Sequence, residues 1–406
     1  MQAERESRGW MARLGPGILV AATGVGAGDL VNATLAGSKL GLSILWAAWV
    51  GALLKWFLNE GIARWQMATG TTLLTGWLDR LGNWIQILFV PYLLLWTLFV
   101  GGALIKACGV AGAALVPAVP VFWWGVIHSL VGLAMVLAGG FKTFEKLMSV
   151  CIGAMFCTVV STALWLGADL SSLVAGLGWP RVPEGGLGLT LGVLGGVGGT
   201  VTLLSYGYWI DEEEREGVDG LKACRLDLSV GYAMTAVFGM AMVVIGSRVT
   251  LDGKGAQVAV VLADLLAGLL GEPGRYLFLV GFWAAVFSSL LGVWQGVPYL
   301  AADYFSRSRG LKISADDLTR TPTYRYYLLG LALLPLGLQS FSLKQIQVAY
   351  AVLGAMFMPL LAVTLLLMNN RRDWVGEFRN NWLTNLVLVG TLLFFAYQGV
   401  SELLTP

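Results

Sequence analysis

The chain has 406 residues, of which 57% are apolar or aromatic, 54 are glycine and only 12% are charged. A soluble domain carries about a quarter charged residues; here the charges gather in short clusters between apolar runs of about 18 to 25 residues, the length of a membrane-crossing helix. That pattern excludes a soluble enzyme, a nucleic-acid binder and a secreted disulfide scaffold, and a balance of 26 basic against 24 acidic residues leaves only the distribution of charge between loops as informative.

Met1 to Arg13 is polar and charged, and the apolar run after it is too long for a cleaved signal, so the first helix is expected to be its own insertion signal. Eleven spans are predicted, over about 15–37, 42–66, 84–109, 120–139, 144–166, 187–210, 226–246, 276–300, 323–340, 344–368 and 383–403. With the N-terminus inside, the inner segments hold 18 of the 26 basic residues and the outer ones 7, with Lys55 inside the second span. Positive charge accumulates on the cytoplasmic side, which predicts an integral protein of a bacterial inner or plasma membrane, N-terminus cytoplasmic and C-terminus outside. Cys108, Cys151, Cys157 and Cys224 show no C-x-x-C spacing and read as buried small hydrophobes. Many of the 17 tryptophans fall near span ends, where indole prefers the headgroup region.

Two spans differ from the rest. The first contains Thr23-Gly24-Val25-Gly26-Ala27-Gly28-Asp29, and the sixth contains Gly195-Gly196-Val197-Gly198-Gly199-Thr200-Val201-Thr202 followed by Ser205-Tyr206. Glycine-interrupted helices five spans apart are the signature of an inverted-repeat carrier, whose unwound backbone forms a midplane substrate site. The expected organisation is a single transmembrane domain over 1–406. Its first repeat spans about 15–166 and its second about 187–368, with an extra helix at about 383–403. An ionised Asp at the bilayer centre is functional by default, so Asp29 is the leading candidate; a carboxylate there also suits the N-terminus of the second half-helix.

Gly15-Pro16-Gly17 through Ala36-Gly37, then Leu45-Trp46 and Ala63-Arg64 with Ala68-Thr69-Gly70, resembles the opening of the Nramp family of divalent-metal transporters. Phe144-Glu145-Lys146-Leu147, Gly199-Thr200-Val201, Phe282-Trp283-Ala284-Ala285 with Ser288-Ser289 and Gly292, and Asn370-Arg371-Arg372 with Gly376-Glu377-Phe378 extend the resemblance over most of the chain. It implies an all-α LeuT-type fold, a five-plus-five inverted repeat with spans 1 and 6 broken and one extra helix, and no enzyme activity. The ligand motifs depart from that family. Where it has Asp-Pro-Gly-Asn this chain has Gly26-Ala27-Gly28-Asp29, and where it has Met-Pro-His this chain has Thr202-Leu203-Leu204. By the same alignment Leu95, Leu98 and Leu329 stand where the family has residues that pass protons.

Without a thioether or imidazole, a site made of Asp29, the Thr202 and Ser205 hydroxyls, carbonyls around Gly26, and Gln347 of the tenth span is all-oxygen. Such a donor set favours a hard, Mg-like divalent cation. Gly26, Ala27, Gly28, Tyr206 and Tyr350 complete the expected substrate set, with Asp29 and Thr202 as the metal donors. The alternative is a small organic solute, such as an amino acid or amine, held by the Gly24–Gly28 turn and lined by Tyr206, Tyr208, Trp209 and Tyr350. A binding protein that does not transport is a further alternative. Lys55, Asn59, Glu60 and Arg64 are spaced to form a gating network at the inner end of the second span. His128 reads as a packing histidine, and Asp211 to Glu216 as a solvated charged loop. Ser288, Ser289 and Gln295 suit either the pathway lining or helix packing. No cofactor is expected beyond a divalent cation bound as substrate; the partners are the lipid bilayer and a small ion or molecule, and a monomer is compatible with the sequence.

Overall fold

The computed structural model describes residues 15–404 apart from 26, 140, 197–198, 250–257, 312 and 314. Among the described residues the regular structure is entirely helical, as a lipid-embedded backbone requires when every N–H and C=O must be satisfied within its own segment. Seven helices there are long and apolar enough to cross a bilayer. The first, sixth and ninth spans are assembled from shorter pieces, and the eleventh is Trp382–Leu404. The ninth joins Pro322–Leu333 to a 3₁₀ stretch at Leu334–Ser340. The eighth is longer than its apolar run, ending at Ser308 and beginning after a break at Gly271, whose φ of 71° ends the preceding helix.

Local chemistry fixes where helices begin. The Ser342 hydroxyl accepts from Gln345 N while the Gln345 side chain accepts from Ser342 N, a capping box that opens the tenth span at Leu343. Thr321 caps the ninth with Pro322 at its first position. Asp169 caps the short connecting helix Leu170–Gly178, and hydrogen bonds from Ser171 and Ser172 hold its carboxyl below the usual range.

Small residues bring the helices together. The first span lies along the seventh, Gly217–Gly246, and a Cβ at Gly17, Gly231, Gly37 or Gly246 would overlap the facing backbone at Asp227, Gly17, Val243 and Thr34 respectively. This is the close packing that small residues permit in membranes, where dispersion and not water exclusion drives helix association. Ile87, Leu164, Trp165 and Leu393 are exposed on the outside of the bundle, the surface that lipid would cover. Three of the cysteines are buried, whereas Cys157 is exposed.

Candidate functional site

The first span is helical over Gly15–Gly24 and again over Ala27–Leu40. The sixth is helical over Leu187–Gly196, resumes as a 3₁₀ turn at Val201–Leu204, and continues as Ser205–Glu212. The two interruptions meet. Gly199 has φ 81°, and a Cβ on it would lie 3.4 Å from Gly24 Cα and 2.9 Å from Thr202 Oγ1, so only glycine serves there on both conformational and steric grounds.

Unwinding frees carbonyls at the end of each first half-helix. In the first span they are met by the eighth: Ser289 Oγ donates to Val25 O at 2.9 Å, and the single Ser288 hydroxyl proton is shared between Ala22 O at 3.1 Å and Ala285 O of its own helix at 3.0 Å. The serines therefore close the broken helix. In the sixth span the Gly195 carbonyl accepts from Lys55 Nζ at 2.7 Å, and Lys55 is buried.

Around the junction lie three buried hydroxyls, Thr23, Thr200 and Ser205, that have no hydrogen-bond partner among the described residues. Each of these side chains is pressed against a glycine of another span, Thr23 on Gly292 and Ser205 on Gly296 through the hydroxyl and Thr200 on Gly354 through its methyl group. Thr202 is also buried. A buried hydroxyl without a partner is uncommon, and a bound water or ion is one way to satisfy it; all four groups offer oxygen. Among the described residues no three His, Cys, Asp or Glu side chains come together as metal ligands would. Asp29 is carried on the second half-helix of the first span. Gly26 lies outside the described residues, as do the side chain of Asp29 and the surroundings of Ala27 and Gly28.

Gln347 and Tyr350 are half-buried on the tenth span. They share a helical face with Gly354, the residue that touches Thr200, and the Tyr350 ring centroid lies 6.2 Å from that of Trp96. The other aromatics expected to line a solute are used for packing. Tyr206 is fully buried with its hydroxyl directed at Cys224 O and Asp227 Oδ2 on the seventh span, at 3.4 and 3.5 Å. Tyr208 donates to Asp303 Oδ2 at 2.9 Å, and Trp209 Nε1 to Gln295 Oε1 at 2.8 Å. Gln295 thereby acts as a helix tie.

The expected gating network divides. Glu60 and Arg64 pair at 2.7 Å, and Glu60 also receives Arg225 at 2.8 Å. Asn59 instead donates to Tyr232 Oη at 3.3 Å, and Lys55 reaches across to Gly195 as above. The reason is geometric: residues one turn apart on one helix stack along a face, but each meets a different neighbour at its own depth. The acidic run after the sixth span is likewise not all solvated loop. Asp211 and Glu212 complete the helix Ser205–Glu212; Gln66 donates to Asp211, and Tyr299 Oη to Glu212 Oε1 at 2.7 Å.

Two acids escaped the sequence reading. Asp227 is fully buried, accepts from Gly17 N at 2.7 Å and pairs with Arg215 at 2.9 Å, so it clasps the first half-helix to the seventh span. Asp303 joins Thr72, Tyr208 and Arg307. Its i,i+4 relation to Arg307 was a usable signal; for Asp227, at the start of an apolar run, none was available. His128 sits between Trp124 O, 2.7 Å from Nδ1, and Trp283 Nε1–H, which donates to Nε2 at 2.7 Å, so both ring nitrogens are satisfied in one neutral tautomer. Leu95 and Leu329 are exposed on the outside of the bundle, so these aligned positions face away from the junction.

Comparison with known proteins agrees with this geometry. The chain is 22% identical over 411 residues to the divalent metal cation transporter MntH of Verminephrobacter eiseniae, covering 96% of this chain and 88% of that one. It is 22% identical over 313 residues to an uncharacterized protein of Pasteurella multocida, covering 70% and 68%. Its fold is similar to that of a point mutant of the Eremococcus coleocola manganese transporter, with a TM-score of 0.78 at 16% identity over 96% of this chain and 85% of that one. It is also similar to MhsT in complex with L-phenylalanine, with a TM-score of 0.55 at 16% identity over 94% and 98%. The architecture is thus the LeuT type expected from the broken spans. The sequence profile described as natural resistance-associated macrophage protein-like, Nramp, matches residues 17–405, and this integral membrane chain belongs to that family of transporters.

Proposed function

We propose that the chain is a secondary carrier that moves a divalent cation by alternating access, binding it where the two broken spans meet. The observation that carries this reading is the set of buried, unpartnered hydroxyls of Thr23, Thr200 and Ser205 at the junction. Family membership and the divalent-cation role named for the MntH relative supply the substrate class. With Asp29 as the charged ligand and Thr202 as a hydroxyl donor, the donors are oxygen throughout, which favours Mg²⁺ or another hard ion over a soft transition metal. One carboxylate suffices for an ion that keeps part of its water shell. Gly26, Ala27 and Gly28 supply backbone groups, while Gln347 and Tyr350 line the approach from the tenth span. The first, second, sixth and seventh spans, two from each repeat, would rock against the rest about this point. The Glu60, Arg64 and Arg225 cluster would tie the second span to the seventh within the moving group, and Arg64 Nη1, which donates to Phe378 O at 3.4 Å beyond the tenth span, would latch that group to the rest. The excess of positive charge in the neighbouring loops supports reading this end as the cytoplasmic side of a bacterial inner membrane.

The test is a thermal-shift titration of the purified chain and Asp29→Asn against Mg²⁺, Ca²⁺, Mn²⁺, amino acids, amines and small carboxylates. A ligand that binds the folded state raises its stability by mass action. Stabilisation by a divalent cation that disappears in Asp29→Asn is the expected result. An organic molecule that stabilises while every metal is silent would overturn the proposal.

A further inference from the structure

The two broken spans end their first half-helices differently. In the first, the freed carbonyls meet neutral hydroxyls, Ser288 and Ser289. In the sixth, the Gly195 carbonyl meets an ammonium, that of Lys55 at 2.7 Å. Lys55 is 1% exposed and stands ten residues into the helix Leu45–Thr69, about 15 Å from its start at 1.5 Å per residue, which is the middle of a bilayer about 30 Å thick. Gly51, one turn earlier, packs so closely that a Cβ on it would lie 2.6 Å from Leu194 O, so the second span is fitted to this half-helix end at two successive turns. The C-terminal end of a helix carries partial negative charge. Here that charge, and a carbonyl that a metal ion could otherwise use, are already engaged by a cation that cannot leave.

We propose that the Lys55 ammonium is a tethered cation that holds the Gly195 carbonyl while the carrier is empty, and that the transported divalent cation displaces it. The inference rests on the divalent-cation reading above. Charge explains the arrangement: a carrier whose cargo ligand is an ionised acid must balance that charge when the cargo is absent, because an unmatched charge within the membrane is costly. A lysine on a flexible four-carbon stem supplies a positive charge to the empty state and gives way when the cargo brings its own. Lys55 is on this view a positioning residue that competes with the cargo and does not bind it.

The experiment titrates the purified full-length chain and its Lys55→Met, Lys55→Gln and Lys55→Arg variants with Mn²⁺ and with Mg²⁺ by calorimetry, after confirming that each runs as a single folded species. A competitor that occupies the site nine-tenths of the time weakens apparent affinity about tenfold, so Lys55→Met and Lys55→Gln are expected to bind at least about that much more tightly. Lys55→Arg, which keeps a cation, stays near the wild-type value. In proteoliposomes the neutral variants should keep exchange of external for internal Mn²⁺ and lose net uptake, because only net uptake needs the empty carrier to return. Equal or weaker binding by the folded neutral variants would make Lys55 a helix cap alone and leave the carrier reading standing. Silence toward both metals in wild type and every variant would overturn both. Binding by Lys55→Met where wild type is silent would support the tether.

Discussion

Ser289 on the eighth span donates its hydroxyl to the carbonyl of Val25, the last described residue before the break in the first span, at 2.9 Å. With Ser288 on Ala22, it makes the eighth span the surface against which the half-helix Gly15–Gly24 ends. An unmade buried hydrogen bond costs about 1 to 3 kcal/mol. The double variant Ser288→Ala/Ser289→Ala is expected to lose about 2 to 5 kcal/mol, seen as a lowered melting temperature in detergent, while Ser289→Thr stays close to wild type. A double variant that melts with the wild type would show that these carbonyls find other partners.

Asp227 ties the opposite end of the same half-helix. It accepts from Gly17 N and from Arg215 while fully buried. Removing one member of a buried pair is strongly destabilising because the other charge is left unmatched. Asp227→Ala is expected to cost about 3 to 5 kcal/mol and Asp227→Asn less. Amide hydrogen exchange over residues 15–24 should rise selectively, since local opening is governed by local contacts. Uniformly faster exchange along the chain would instead mark Asp227 as a determinant of global stability.

The fold was legible because bilayer thickness and backbone satisfaction act on composition, which any run of twenty residues displays. The eleven spans and both breaks follow from that, and the glycines at 24, 195, 196 and 199 locate the interruptions directly. The site was legible only in part, because a side chain's partner depends on depth and on the neighbouring span, neither of which is written locally. Tyr206 and Tyr208 sit two residues apart and belong to different clusters, one on Asp227 and one on Asp303. Lys55 and Glu60 lie on one helix, yet they engage Gly195 and Arg225. Asp227 has no sequence signal because its first partner, Gly17, is 210 positions away.

His128 gives a test of proton carriage. Both of its ring nitrogens are engaged, by Trp124 O and by Trp283 Nε1–H, in an arrangement that uses the neutral ring and has no acceptor for a second proton. His128→Phe leaves the Trp283 indole N–H unpaired and is expected to cost about 1 to 3 kcal/mol, visible in the melting temperature. The dependence of cation uptake on pH should be unchanged. A pH profile displaced by the substitution would place His128 on a proton path.

Thr202 tests which span touches the ion. It is buried in the 3₁₀ turn Val201–Leu204 that restarts the sixth span, and its hydroxyl lies against Gly199. Methionine there would replace a hard oxygen donor with a soft sulfur one, and soft ligands favour later transition metals over Mg²⁺ or Ca²⁺. The side chain is unbranched and flexible enough to follow an irregular gap. Thr202→Met is therefore expected to raise the ratio of Mn²⁺ to Mg²⁺ affinity by about tenfold, which corresponds to 1.4 kcal/mol, as read by competitive titration on the same preparation. Thr202→Ser, which keeps the oxygen, should leave the ratio unchanged. An unaltered preference in the methionine variant, with its fold intact, would mean that the cation is held by the first span and the backbone, and that the sixth span shapes the cavity without contributing a side-chain ligand at this position.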